Sequence, residues 1–158
     1  MVWGNHERRV YRESGIDVCE DVADRLGVEY AREGLVFVHK FKPFETKGHI
    51  CYVTYATHGF GGGRTKGSKT NVVDKLSNIV QADIYICGHT HFATAFKDSY
   101  FIPDLRANKI QRVTRTYVSA GSFLDYGGYS EDMGLPPAKL GTPRIRLDGR
   151  KKNCHVSI

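Results

Sequence analysis

The residues of this sequence that could carry chemistry fall in three short stretches. They are Gly-Asn-His-Glu at residues 4–7, the histidine at residue 58, and Gly-His-Thr-His at residues 88–91. An amide oxygen and imidazole nitrogens are suitable ligands for Zn, Mn, Fe or Ni. The two rings of a His-x-His pair can reach one ion or two adjacent ions from a single loop. The combination of these residue types predicts a metal site formed from three places in the sequence, Asn5-His6, His58 and His89-x-His91.

The predicted positions of these residues matter as much as their types. His58 ends the apolar run HICYVTYATH, and His89 and His91 end the run DIYICGHTH. Both runs have the β-branched and aromatic composition of strands, and α/β folds place their ligands where strands open into loops. A lone histidine at a strand end is more often an ordinary hydrogen-bonded polar residue, so the interpretation depends on the combination.

The rest of the chain predicts a mixed α/β fold. Helical spacing covers much of residues 8–26, with a break at Gly15 and a stop at Gly27. A second helix is predicted for NVVDKLSNIV, after a glycine-rich basic loop at residues 59–71. The predicted strands are VEYA, GLVFVHKF, HICYVTYATH, DIYICGHTH, ATAFKDSYFIP, KIQRVTRTYVSAGSFL and PRIRLDG with NCHVSI, and KPFETKGH is predicted to be a loop.

Composition narrows the class of protein. A length of 158 residues suits a single domain, and an apolar share of 41% supports a core. No apolar run approaches the ~20 residues of a membrane span, and no signal peptide opens the chain. A cytoplasmic protein without membrane contact is therefore expected. The four cysteines have no Cys-x-x-Cys spacing and are expected to be buried free thiols, while His39, His49 and His155 are expected to be hydrogen-bonded or exposed.

The basic charge favours an anionic partner without identifying it. The net charge is +6, which would attract a phosphate ester or a nucleic acid; a solvated basic surface is the competing explanation. Arg64, Lys66 and Lys69 lie in the glycine-rich loop, where they could contact phosphates. The loop does not match a nucleotide-binding P-loop, because Gly67 is followed by Ser68-Lys69 rather than by Lys and then Ser or Thr.

Taken in order, these motifs resemble those of the calcineurin-like metallophosphoesterases, particularly small bacterial or phage members. That family carries Asp-x-His, Gly-Asp, Gly-Asn-His-Asp/Glu, a histidine after a strand, and Gly-His-x-His. The last three correspond to residues 4–7, 58 and 88–91 here. Ala120-Gly121-Ser122 is similar to a further family turn, and the resemblance spans about residues 1–125.

The resemblance implies a fold and a mechanism. The fold would be a β-sandwich flanked by helices in the order α-β-β-α. Two metal ions would clamp the phosphate and a hydroxide that attacks it in line. Asn5, His58 and His89 would bind one ion and His91 the other. His6 would stabilise the transition state and donate a proton to the leaving oxygen, while Glu7 would orient the loop.

The sequence departs from the family pattern in its acidic motifs. None of its aspartates is followed two positions later by histidine, and Gly-Asp does not occur. The matched donors are therefore all neutral, whereas a pair of divalent ions requires anionic ligands. We expect one truncated domain over residues 1–158 whose N-terminal β-α-β portion is missing. It would hold at most one ion weakly.

Three explanations of this departure remain open: a fragment of a complete enzyme, one chain of a split enzyme, or a remnant that catalyses nothing. The last two predict an exposed sheet edge and apolar helix faces that need cover, which self-association or a complementing chain would supply. The expected function is metal-dependent hydrolysis of a phosphomonoester or phosphodiester, incomplete in this chain alone. The alternatives are a non-catalytic remnant and a basic nucleic-acid-binding module.

Overall fold

A computed structural model describes residues 1–44 and 47–158 and confirms a mixed α/β fold. Over these residues the chain forms a five-stranded sheet, a separate two-stranded hairpin and several short helices. The helices are α1 (Asn5–Ser14), α2 (Val18–Leu26), α3 (Lys66–Asp74), which continues as a 3-10 turn (Lys75–Asn78), and α4 (Tyr129–Asp132). The strands are β1 (Gly34–Phe41), β2 (Ile50–Thr57), β3 (Ile84–Cys87), β4 (Thr94–Asp104), β5 (Lys109–Ser119), β6 (Arg144–Leu147) and β7 (Cys154–Ser157).

The two N-terminal helices end where the sequence predicts. Gly15 and Gly27 follow them with φ of 72° and 62°, the left-handed conformation in which glycine terminates helices. The Asp17 carboxylate begins α2 by accepting a hydrogen bond from the Glu20 N–H at 3.1 Å, as a helix N-cap does.

The prediction of a strand at VEYA is wrong. Of these residues only Ala31 forms a bridge, to Val2. The hydroxyl of Tyr30 donates to Asp17 Oδ2 at 2.8 Å, and Arg32 Nε donates to the same oxygen at 3.0 Å. These bonds hold the segment against the start of α2 instead of in a sheet.

The glycine-rich loop is shorter than predicted. Helix α3 begins at Lys66, because the Thr65 hydroxyl accepts from the Ser68 N–H at 3.2 Å and caps it. The predicted loop therefore ends before residues 66–71, and it connects β2 to α3. The loop predicted at residues 42–49 includes Glu45 and Thr46, which lie outside the described residues.

The strand order of the large sheet, β1-β2-β3-β5-β4, places three parallel strands at its centre. Strands β2, β3 and β5 run parallel to one another, and β1 and β4 pair antiparallel at the two edges. The carboxyl ends of the central strands therefore meet at one end of the sheet. This is the feature that brings distant parts of the sequence together.

Each face of the sheet has its own core. On one face α3 and its 3-10 extension bury Val73 and Leu76 against Tyr85 and Tyr117, whose rings stack 5.0 Å apart. The other face packs against the β6–β7 hairpin, and Tyr52, Ile84 and Cys154 are buried between them. The order of layers is thus helix, sheet and small hairpin.

The cysteines are free, as expected, although burial is uneven. Cys87 and Cys154 are buried, whereas Cys19 and Cys51 are only partly buried. Burial raises the pKa of the Cys87 thiol to about 11. His39, His49 and His155 are exposed. No helix in the described part of the chain is long and apolar enough to cross a bilayer.

Candidate metal centre

Loops from three parallel strands converge at one end of the sheet. His58 directly follows β2, and His89 and His91 lie just after β3. Ser122 lies three residues beyond the end of β5. Because these strands are neighbours and parallel, residues separated by more than sixty positions in sequence reach the same place.

Asn5 arrives from a different direction, at the first position of α1. Glu7 Oε2 accepts a hydrogen bond from the Gly4 N–H at 3.0 Å, which fixes the start of the helix in a capping arrangement. A Cβ at residue 4 would lie only 3.1 Å from His58 Cε1. Glycine at this position therefore permits the close approach of α1 to the strand-end histidines.

Three donor atoms meet at His58. His58 Nε2 lies 2.9 Å from Asn5 Oδ1 and 3.1 Å from His89 Nδ1. Adjacent ligands of an octahedral ion with bonds of about 2.1 Å are about 3 Å apart. A single N–H serves only one of two acceptors well, whereas a cation bound at His58 Nε2 would suit both neighbouring atoms as further ligands. The donor set therefore fits one divalent ion.

The opposite side of the His89 ring is held by the backbone. His89 Nε2 donates to the Gly61 carbonyl oxygen at 2.6 Å; a carbonyl can only accept, so the proton of the neutral ring must be on Nε2. The lone pair is then on Nδ1, the atom that faces His58. Metal-bound histidines typically have an outer partner of this kind, which fixes the tautomer and the ring orientation.

The loop after β3 has unusual backbone conformations. His89 and His91 have φ of 63° and 50°, a region that non-glycine residues rarely adopt and that costs about 1–3 kcal/mol per residue. The loop is held by Thr90, whose hydroxyl lies 2.7 Å from Ser119 Oγ and whose N–H donates to Gly88 O at 2.7 Å. Strain maintained in this way is commonly found at functional sites.

The other two predicted histidines lie beside the three donors. His91 Nδ1 is 3.1 Å from Ser122 Oγ, a different partner from those of His58. His6 is exposed on α1, and its ring centroid is 6.4 Å from that of Tyr129. The structure therefore brings Asn5, His58 and His89 together, and His91 and His6 line the same cavity.

The electrostatics of the site favour neutral imidazoles. Burial lowers the pKa of His58, and the neighbouring His89 lowers it further. Burial likewise lowers the pKa of His91, with further contributions from His89 and Lys69. A neutral ring is the form that binds metal.

The candidate site opens into a cavity of about 650 Å³. Arg64 and Lys69 line it, whereas Lys66, the first residue of α3, lies outside its lining. Of the described residues that line the cavity, Glu7 alone is acidic, and its carboxylate accepts from the Gly4 N–H. The cavity is therefore suited to an anion.

Acidic donors remain scarce around the three converging atoms. Within residues 1–44 and 47–158, no group of three or more His, Cys, Asp or Glu side chains is placed to hold a metal ion. The three atoms that meet belong instead to the imidazoles of His58 and His89 and to the amide of Asn5. This donor set does not fit a pair of divalent ions.

Sequence patterns did not identify the apolar part of the cavity lining. The cavity is lined there by Tyr129 and by four apolar residues between positions 124 and 136. No periodic pattern in the sequence identifies them. They are Leu124, Met133, Leu135 and Pro136.

Comparison with family models, curated proteins and solved structures found no significant match to this chain.

Proposed function

We propose that this chain carries the metal-binding and proton-donating residues of a phosphoesterase of the calcineurin-like type. The observation that carries the proposal is the meeting of Asn5 Oδ1, His58 Nε2 and His89 Nδ1 at separations of 2.9 and 3.1 Å. Those spacings suit adjacent ligands of one ion. The substrate would be a phosphomonoester or a phosphodiester.

In this proposal the three donors would hold one divalent ion, and His91 would be a ligand of the second ion only in a complete enzyme. A bound ion supplies Lewis acidity to the phosphoryl group and a nucleophile at neutral pH. Lys69 and Arg64 attract and orient the phosphate by charge. His6, exposed at the cavity, donates a proton to the leaving oxygen.

The chain by itself is proposed to be a poor catalyst. Its donors are neutral, and Glu7, the acidic residue nearest to them in sequence, is engaged by Gly4. Nothing in this set offsets the four positive charges of two divalent ions, so we expect a single, weakly held ion. Efficient turnover would require carboxylates from outside these 158 residues, whether from the same polypeptide or from another.

The order of the layers supports a more specific proposal for the fold, namely a metallophosphoesterase sandwich. A helix layer, a mixed sheet and a second small sheet are stacked in that order, and the donors lie at the carboxyl ends of the central strands. Fold-level likeness of this kind is an analogy and does not specify function. The metal experiment is therefore the decisive one.

The test is metal uptake by matched histidine variants. The chain is loaded with Mn or Zn, dialysed, and analysed for bound metal alongside His58→Ala, His89→Ala and the control His39→Ala, whose ring is exposed on β1. We expect at most one ion per chain, affinity reduced by at least about 100-fold in the two site variants, and no change in the control. Unchanged uptake in both site variants would disprove the proposed centre.

Two further outcomes are informative. Two tightly held ions and rapid hydrolysis of a chromogenic phosphate ester would show that the chain is complete as a catalyst. DNA retention that survives His58→Ala but falls in Arg64→Gln and Lys66→Gln, with a smaller salt dependence, would favour the nucleic-acid-binding alternative.

A further inference from the structure

The cavity beside the proposed metal centre has two chemically different sides. One part of the lining, here called the basic side, consists of Arg64 and Lys69. The other is apolar and is formed by a single segment, residues 124–136. The lining residues of that segment, here called the apolar wall, are Leu124, Tyr129, Met133, Leu135 and Pro136.

The apolar wall is a folded structure. Ser130 is buried, and its hydroxyl accepts from the Gly127 N–H at 2.9 Å and donates to the Asp125 carbonyl at 2.9 Å. The Leu135 N–H donates to the Ser130 carbonyl at 2.8 Å. Hydrogen bonds within the segment therefore hold part of it in a turn around Ser130.

Two side chains of the apolar wall are about half exposed to solvent. Tyr129 is 51% exposed and Met133 is 49% exposed, although both line the cavity. Apolar groups gathered at a cavity commonly mark a ligand site.

The wall adjoins the residue that would receive the leaving group. The Tyr129 ring lies edge-on to the His6 ring, with centroids 6.4 Å apart. In the proposed function, on which this inference rests, His6 protonates the leaving oxygen. The part of the substrate that departs would therefore lie against the wall, while the phosphate faces Lys69 and Arg64.

We propose that the substrate is a small phosphate ester whose leaving group is aromatic or otherwise apolar. The apolar wall binds this group and the basic side binds the phosphate. A cavity of about 650 Å³ lies within the size range that accommodates small organic ligands. Polar esters of the same charge, such as glycerol phosphate, would satisfy only the basic side.

The experiment compares three probes on the whole chain, namely 1-naphthyl phosphate, glycerol 2-phosphate and inorganic phosphate. Binding is measured by calorimetry with EDTA and again with added Mn, so that turnover is not needed as a readout. We expect naphthyl phosphate to bind at least about tenfold more tightly than the other two, equivalent to about 1.4 kcal/mol. Equal affinities for the three probes would overturn the inference.

Matched variants show which residues produce the preference for 1-naphthyl phosphate. Tyr129→Ala and Met133→Ala should reduce the naphthyl preference severalfold and leave inorganic phosphate binding unchanged. Tyr126→Ala is the control, because Tyr126 is 52% exposed in the same segment but does not line the cavity. A preference that both wall variants retain, or that Tyr126→Ala removes equally, would also overturn the inference.

The results separate this inference from the proposed function. If His58→Ala leaves metal uptake intact while the naphthyl preference maps to the wall, the apolar site stands and the metal centre fails. If metal uptake depends on His58 but the probes bind equally, the metal centre stands and the apolar site fails. Variants at exposed positions such as Tyr129 and Met133 are not expected to unfold the chain, which thermal melting checks.

Discussion

The two sides of the candidate metal centre are supported very differently. His58 and His89 follow central strands of the sheet, and β3 alone contributes Ile84, Tyr85 and Cys87 to the buried core. Asn5 instead begins α1, a helix in which none of the described residues is buried. One side of the site is therefore fixed by the core, while the other rests on a helix with few apolar contacts.

The contacts that hold α1 centre on Trp3, which has an unsatisfied hydrogen-bond donor. Trp3 is buried, with Arg8 and Arg32 each centred 5.4 Å from its ring and Tyr11 at 5.6 Å. Its indole N–H has no hydrogen-bond partner within the described part of the chain, a deficit of about 1–3 kcal/mol. Local stability varies within proteins. We therefore infer that the position of Asn5 changes more easily than the positions of His58 and His89.

The largest expected effect is on the free energy of unfolding, and it tests whether the sheet is packed more firmly than α1. Leu76→Ala should lower the free energy of unfolding by about 2–5 kcal/mol, because Leu76 is fully buried beneath the sheet. Val10→Ala on α1 should cost less than about 1 kcal/mol, since Val10 is 42% exposed. Urea unfolding followed by circular dichroism measures both. Comparable losses would show that α1 is as firmly packed as the sheet.

An intermediate effect tests the charge of the donor set. Asn5→Asp places a carboxylate oxygen beside His58 and at the positive end of α1, so Mn affinity should rise about tenfold, or about 1.4 kcal/mol. Asn5→Ala should lower it by about the same factor. Asn78→Asp, an exposed amide outside the site, is the control for net charge. Calorimetric titration would refute the neutral-donor explanation if Asn5→Asp left affinity unchanged.

The smallest expected effect is the pH dependence of stability. The pKa values of His58 and His91 are lowered from 6.5 by burial, so below pH 6.5 the unfolded chain binds more protons than the folded chain. The contribution of the two histidines to the free energy of unfolding is therefore complete above pH 6.5. It is lost as the pH falls toward their pKa values in the folded chain. Thermal melting between pH 5 and 7.5 in EDTA should show this fall, and His58→Gln should weaken it. An identical profile in the variant would contradict the assignment.

Sequence patterns predicted the elements near the site better than their ends. The strands around His58 and His89 were predicted because apolar β-branched and aromatic residues run continuously through them, as in a buried parallel sheet. The start of α3 was missed because Lys66 and Gly67 give no apolar periodicity, and the cap at Thr65 is a local hydrogen bond. VEYA was wrongly predicted because its composition suits a strand while Tyr30 is held by Asp17.

The sequence by itself determined the types of the donors, because an amide and imidazoles at strand ends are visible in the order of the residues. It also determined the absence of Asp-x-His and Gly-Asp from these 158 residues. Only the tertiary structure decided that Asn5, His58 and His89 share one place and that His91 has Ser122 as a separate partner. The same is true of the apolar wall at residues 124–136. The reason is physical: spacing along a chain fixes local conformation, whereas distances between loops are set by how strands pair and how helices pack on them.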